Sequence, residues 1–286
     1  MTIPLLVALA GAPGAPVPPL PRPLVVGHRG ARARFPENTL PAVRHALEAG
    51  ADGVEVDVRV TSDDVPVVAH DATLPDRCRL FDGRPAPAGL AIRGLSFEAL
   101  RRFDCGAVPD PRFPLQRAVP GTPTPSLDEL LALLDAPTPA SARPALLFLE
   151  LKFEESRPSH SPPREAYARL VASRLAARGF SGRTLVLSFD HALLRAVRAT
   201  DPSIVTLPLV DRDEDLVALA RREGAAWVGP RHGRLDAAAV AALHSAGVRV
   251  FAWTANDRAD QERLARIGVD AIGTDDPAPL AARPTR

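Results

Sequence analysis

In the stretch from Val25 to Asp71 the alternating carboxylates Glu55 and Asp57 fall between His28, with Arg29 beside it, and His70, and that spacing is informative. In Gly53 to Val60, GVEVDVRV, β-branched residues alternate with other types, the period of a β-strand. Glu55 and Asp57 then share one face, while Val54, Val56 and Val58 make the other apolar, as in a barrel strand whose outer side packs against helices. Two carboxylates about 4 Å apart repel by roughly 4 kcal/mol at an effective dielectric of about 20, so they must share a proton, meet a cation or hold a metal. All-oxygen ligation favours Mg²⁺, Ca²⁺ or Mn²⁺ over zinc. The competing reading is an edge strand with both acids in water.

His28 closes a short apolar strand from Leu24, and Arg29 and Gly30 behind it suit a tight turn where backbone approaches a ligand. His70 closes another, Val65 to His70, and is followed by Asp71. One histidine at a strand end is usually structural. Two that flank an acidic strand suit proton transfer in both directions, because imidazole titrates near neutrality. Of 35 lysines and arginines only Lys152 is a lysine, a compact point charge that arginine does not replace at a tight anionic site. It ends ALLFLELK, in which Phe148, Glu150 and Lys152 share a face, so a third acid and the lone lysine sit at one strand end.

The elements needed to hold these groups recur along the chain. Strands are predicted at 24–28, 53–60, 145–152, 184–189, 204–210, 226–229, 249–254 and 271–274. Helices are predicted near 164–179, 190–199, 213–223, 235–246 and 258–267. Asn38 or Thr39 caps an earlier helix that carries Pro41 and stops at Gly50, and Ser126 with Glu129 forms a capping box for SLDELLALL. Eight βα units in 286 residues predict an α/β protein of the TIM (β/α)8 barrel type. Catalytic groups of such a barrel lie at strand carboxyl ends, where His28, Glu55, Asp57, Glu150, Lys152 and Trp253 fall. Trp253 suits either barrel packing or a rim contact, and Asn256 beside it favours the rim. His160, His191, His232 and His244 lie in loops or helices and read as structural.

Between 72 and 125 the alternation lapses, apart from one helix expected from Ser96 to Phe103. This reads as a small insertion after the second strand, and it holds both cysteines, Cys78 and Cys105, whose pairing the sequence leaves open. Residues 1–23 read as an apolar and Pro-rich leader ahead of a single barrel over 24–286. Ala8-Leu9-Ala10 resembles a cleavage site, but no basic residue precedes it, so cytoplasmic and exported locations both stay open. A net charge of +1 argues against a nucleic-acid surface, and no apolar run is long enough to span a membrane.

The motifs closely resemble the glycerophosphodiester phosphodiesterase family: GHRG at 27–30, PENT at 36–39, GADGVEVDV at 50–58, VVAHD at 67–71, ELK at 150–152, WTAN at 253–256 and GTDDP at 273–277. The resemblance implies a TIM barrel with an insertion after the second strand, and metal-dependent hydrolysis of glycerophosphodiesters to glycerol 3-phosphate and an alcohol. It places one divalent cation, Mg²⁺, Ca²⁺ or Mn²⁺, on Glu55, Asp57 and Glu150. His28 and His70 become general base and general acid working through a cyclic phosphate. Arg29 and Lys152 hold the non-bridging phosphate oxygens, Trp253 contacts substrate, and Asn38 supports His28 or the metal site. Cys78 and Cys105 depart from the family's pattern and raise a disulfide and export together.

Three other functions compete. The same barrel can serve a phospholipase, which apolar rim loops would favour, yet the sequence shows no aromatic cluster and only one tyrosine and two tryptophans. A catalytically silent binding barrel would not need both histidines and all three acids. Schiff-base chemistry would have to use Lys152, whose neighbour Glu150 is better read as its ion-pair partner or a metal ligand.

Overall fold

The computed structural model describes residues 15–136 and 144–282. In chain order the strands are β1 (Leu24–His28), β2 (Gly53–Val60), β3 (Pro66–Val68), β4 (Arg79–Leu80), β5 (Phe103–Asp104), β6 (Leu146–Leu151), β7 (Thr184–Ser188), β8 (Val205–Val210), β9 (Trp227–Pro230), β10 (Arg249–Ala252) and β11 (Ala271–Thr274). The helices of at least eight residues are α1 (Leu40–Glu48), α2 (Leu127–Asp135), α3 (Arg164–Ala177), α4 (His191–Thr200), α5 (Leu216–Glu223), α6 (Ala237–Ser245) and α7 (Arg258–Ile267). Strands β1, β2 and β6 to β11 pair in parallel, and β11 closes on β1, which also pairs with β2. Among the described residues this makes a closed eight-stranded TIM barrel with helices between strands.

The two-residue period sorts the strand side chains into layers. Val54, Val56, Val58, Leu147 and Leu149 face outward and pack with Val43, Leu47, Leu130 and Tyr167. Val26, Phe148, Leu185, Leu207, Trp227 and Phe251 fill the interior. Burying each such side chain stabilises the fold by about 1.5–3 kcal/mol, so apolar side chains plug the barrel beneath the polar groups of its mouth.

Strand β2 overshoots that mouth: β3 folds back antiparallel on its end, pairing Val58 with Val68 and Val60 with Pro66. The register therefore sets His28 level with Glu55 and Glu150 level with Asp57, so the two acids in the middle of β2 lie at the barrel rim.

Some expected elements come out shorter. The strand expected to reach His70 stops at Val68, because Ala69 N–H donates to the Asp57 carbonyl and Arg59 Nε to the His70 carbonyl, which turns the chain over the mouth. The helix expected from Ser96 to Phe103 ends at Leu100, since Phe103 instead pairs with Leu80 and buries itself with Leu74, Ile92 and Leu100. Cys78 and Cys105 in that excursion are joined as a disulfide, with Cα atoms 4.2 Å apart.

Residues 15–23, the described part of the segment read as a leader, contact the barrel. Arg22 forms a bidentate pair with Asp52 at 2.6 Å, and Val17 N–H donates to the His244 carbonyl. Ala8-Leu9-Ala10 lies outside the described residues. No helix among the described residues is long and apolar enough to cross a membrane.

Candidate active site

The turn after β1 builds one wall. Arg29 adopts the left-handed backbone conformation, with φ 52°, and Gly30 follows with φ 82°. A side chain at Gly30 would meet the Ala42 backbone at 2.6 Å, so the turn can sit on the first turn of α1 only with glycine there. The positive φ of a non-glycine residue is a strained choice typical of functional sites. Here it aims the Arg29 N–H at Oε2 of Glu55, 2.9 Å away. Thr39 caps α1, which leaves Asn38 free to clamp Asp57: its Nδ2 donates to Oδ2 at 2.8 Å and its Oδ1 accepts the Asp57 N–H at 3.1 Å.

Glu55, Asp57 and Glu150 are all buried, and each offers an oxygen within 4.8 Å of the other two. Lys152 Nζ bridges two of them, 3.0 Å from Oδ1 of Asp57 and 2.6 Å from Oε1 of Glu150. Arg29 Nε stands 3.3 Å from Asp57 and its Nη1 3.1 Å from Glu37. Burial, then the charges of Asp57 and Glu150, pushes Glu55 well above the ordinary carboxylate range. Burial acts the same way on Asp57, but Lys152 and Arg29 outweigh it and hold that group well below. Glu150 is raised by burial and by Asp57, with Lys152 opposing.

These residues fit a divalent cation. The donors are all oxygen, three carboxylates face two fixed cations, and Oε1 of Glu55 is buried with no hydrogen-bond donor. An unpaired buried carboxylate oxygen is costly, and a metal is one of the few groups that would satisfy it.

Both histidines are braced through Nδ1. His28 Nδ1 donates to Oδ1 of Asp275 at 2.6 Å, and Asp275, despite its burial, is held far below the ordinary range by His28 and Arg32. Burial lowers the His28 pKa against the pull of Asp275, which favours the neutral imidazole; its Nε2 lies 3.8 Å from Glu55. His70 Nδ1 pairs in the same way with Oδ1 of Asp71 at 2.7 Å.

His28, Arg29, Glu55, His70, Glu150, Lys152 and Trp253 line one cavity of about 250 Å³ at the barrel mouth. Asp57 and Asn38 lie beneath its wall, in contact with residues that line it. Trp253 lines the cavity, while its Nε1 donates to the Gly229 carbonyl at 2.6 Å and its ring packs against the interior. Three participants are not legible as individual residues in the sequence: Asp275, which Asn256 holds at 2.7 Å, Glu37 and Phe189. The GTDDP and PENT motifs contain two of them, which was the available signal.

A closed parallel barrel with buried acids between two braced imidazoles at its carboxyl mouth defines a (β/α)8 phosphodiesterase. The chain belongs to the glycerophosphoryl diester phosphodiesterase family, whose sequence model matches residues 28–279. It is similar to a glycerophosphodiester phosphodiesterase from Caldanaerobacter subterraneus subsp. tengcongensis, 29% identical over 90% of this chain and 96% of the relative. A crystal structure of a candidate glycerophosphoryl diester phosphodiesterase from Silicibacter pomeroyi DSS-3 superposes with a TM-score of 0.84 and 30% identity, covering 96% of this chain and 95% of that one. An Oleispira antarctica phosphodiesterase solved with its product sn-glycerol-3-phosphate shares the fold, with a TM-score of 0.73 and 24% identity over 91% and 96% of the chains.

Proposed function

We propose that the protein hydrolyses glycerophosphodiesters to glycerol 3-phosphate and an alcohol, using one divalent cation, Mg²⁺, Ca²⁺ or Mn²⁺, held by Glu55, Asp57 and Glu150. The observation that carries this reading is the convergence of those three buried carboxylates beside two carboxylate-braced histidines. When bound, such an ion supplies Lewis acidity to a phosphoryl oxygen and makes a nearby hydroxyl more acidic.

The residues of the chain do the rest. Arg29 and Lys152 bind the non-bridging phosphate oxygens, and Trp253 gives the substrate an apolar wall. His28 Nε2 takes the proton of the substrate's own glycerol hydroxyl as that oxygen bonds to phosphorus. The bond from phosphorus to the leaving alcohol breaks, and His70 protonates the departing oxygen. The cyclic phosphate is opened by water, whose proton passes to His70 while His28 returns its proton to the ring oxygen that leaves. Asp275 and Asp71 fix the imidazole tautomers throughout, and Asn38 orients Asp57.

The test is to incubate purified protein with a panel of glycerophosphodiesters, with and without EDTA, and assay glycerol 3-phosphate. Release that EDTA abolishes and added Mg²⁺, Ca²⁺ or Mn²⁺ restores is expected. Full activity in chelator would remove the metal from the chemistry, and no release from any diester would sink the function.

A further inference from the structure

A second concavity, of about 540 Å³, opens in the loops that follow β6, β7 and β8. It adjoins the catalytic cavity, since Phe189 and Leu209 line both. The catalytic cavity alone is small for a ligand site, which typically occupies about 300–1,000 Å³. Phosphate and glycerol must sit there, against the acids and the histidines, so the leaving alcohol has to extend elsewhere. A chain of contacts links the groove to the His70 loop: Arg59 Nε donates to the His70 carbonyl at 3.0 Å and its Nη2 to Glu154 at 3.0 Å, and the next residue, Glu155, lines the groove.

Its lining has a defined chemistry. Phe189 is 47% exposed, an unusual position for a phenylalanine, and stands edge-on to Trp253 with ring centroids 5.6 Å apart. Arg164 is locked by Asp190 through Nε at 2.9 Å and Nη2 at 2.6 Å, and its guanidinium lies 4.4 Å from the centre of the Phe153 ring. Such a pair sets donors and acceptors side by side in fixed geometry, as neighbouring hydroxyls require, and the exposed ring offers a surface for the C–H face of a ring. The arginines here are already neutralised, Arg164 by Asp190 and Glu155 and Arg212 by Glu214, which leaves no positive field for a second phosphate.

We infer that this groove is the leaving-alcohol subsite, that it takes a ring polyol, a sugar or an inositol, and that Phe189 is a specificity-determining residue. The assignment rests on glycerophosphodiester hydrolysis being the reaction. It is tested by measuring kcat/KM for glycerophosphoinositol and for glycerophosphoglucose, each as a ratio to glycerophosphoethanol, whose small alcohol does not reach the groove. Wild-type ratios of at least about ten are expected for one ring or both, and the larger one identifies the ring. Phe189→Ala should lower the ratio about tenfold, the scale of one lost aromatic contact. Ala192→Trp, which fills the groove from α4, should do the same while leaving Phe189 in place. Ratios near one for both rings in the wild type, or ratios unchanged in either variant, overturn the assignment. No hydrolysis of any of the three diesters rejects the reaction itself, and the subsite with it.

Discussion

Nδ1 of His28 lies 2.6 Å from Oδ1 of Asp275, a partner 247 residues further along the chain that reaches it only because the last barrel strand closes on the first. The carboxylate is also gripped by Arg32 Nε at 2.6 Å and by Asn256 Nδ2 at 2.7 Å. It fixes the tautomer that leaves Nε2 as the basic nitrogen. Asp275→Asn, which keeps the shape but not the charge, should cut kcat by about 10²-fold with unchanged circular dichroism, the range expected for losing effective acid–base catalysis. Steady-state kinetics with wild-type kcat would show that the brace is only structural.

His28→Ala and His70→Ala should each lower kcat by at least about 10²-fold. If the two act as a relay, the double variant should lose much less than the product of the single losses, because residues that work as a unit are not additive. Fully multiplicative losses would argue for independent roles.

Lys152 is the only lysine in the chain and spans Asp57 and Glu150 at 3.0 and 2.6 Å. A guanidinium is wider and planar, so Lys152→Arg should crowd the acids and reduce kcat/KM by about tenfold or more. An arginine variant with wild-type activity would mean that only the charge matters at this position.

Glu55 carries the least compensated of the three charges, and its raised pKa has a consequence for stability. A carboxyl with a folded pKa above its unfolded value contributes stability in acid, and loses it as pH rises through the folded pKa. In chelator, Glu55→Gln should therefore melt above the wild type at neutral pH and match it more closely in acid. On adding Mn²⁺ the order should reverse, because the wild type binds more tightly and gains more stability. Thermal melts at two pH values, with and without metal, decide this; a variant that melts lower in chelator contradicts it.

The disulfide of Cys78 and Cys105 closes a loop with a sequence separation of 27. Loop closure of that length is worth about 3–4 kcal/mol. Cys78→Ser should lower unfolding free energy by about that amount, read by urea titration. Neighbouring Arg77 holds Glu37 at 3.0 Å, and Glu37 in turn holds Arg29, so KM should rise as well. A variant as stable as the wild type would show that the excursion is held by its apolar cluster alone.

The catalytic mouth was legible wherever its residues share a strand or a short motif. Glu55 with Asp57, and Glu150 with Lys152, could be paired by the two-residue period alone. Asp275, Arg32 and Glu37 act through contacts across the ring closure or between loops, which local periodicity does not encode. Phe189 looked like the end of a strand, and only the shape of the surrounding loops makes it a rim residue. In the excursion after β3, two-residue strands and a disulfide replace regular elements, so the helix expected to reach Phe103 had nothing to carry it past Leu100.

If Glu55, Asp57 and Glu150 hold a single ion, calorimetric titration of metal-stripped protein with Mn²⁺ should show one Mn²⁺ per chain in the wild type, with affinity reduced at least about tenfold in Glu55→Gln and in Glu150→Gln. Binding of equal strength in both variants, or no binding to the folded wild type, would contradict it.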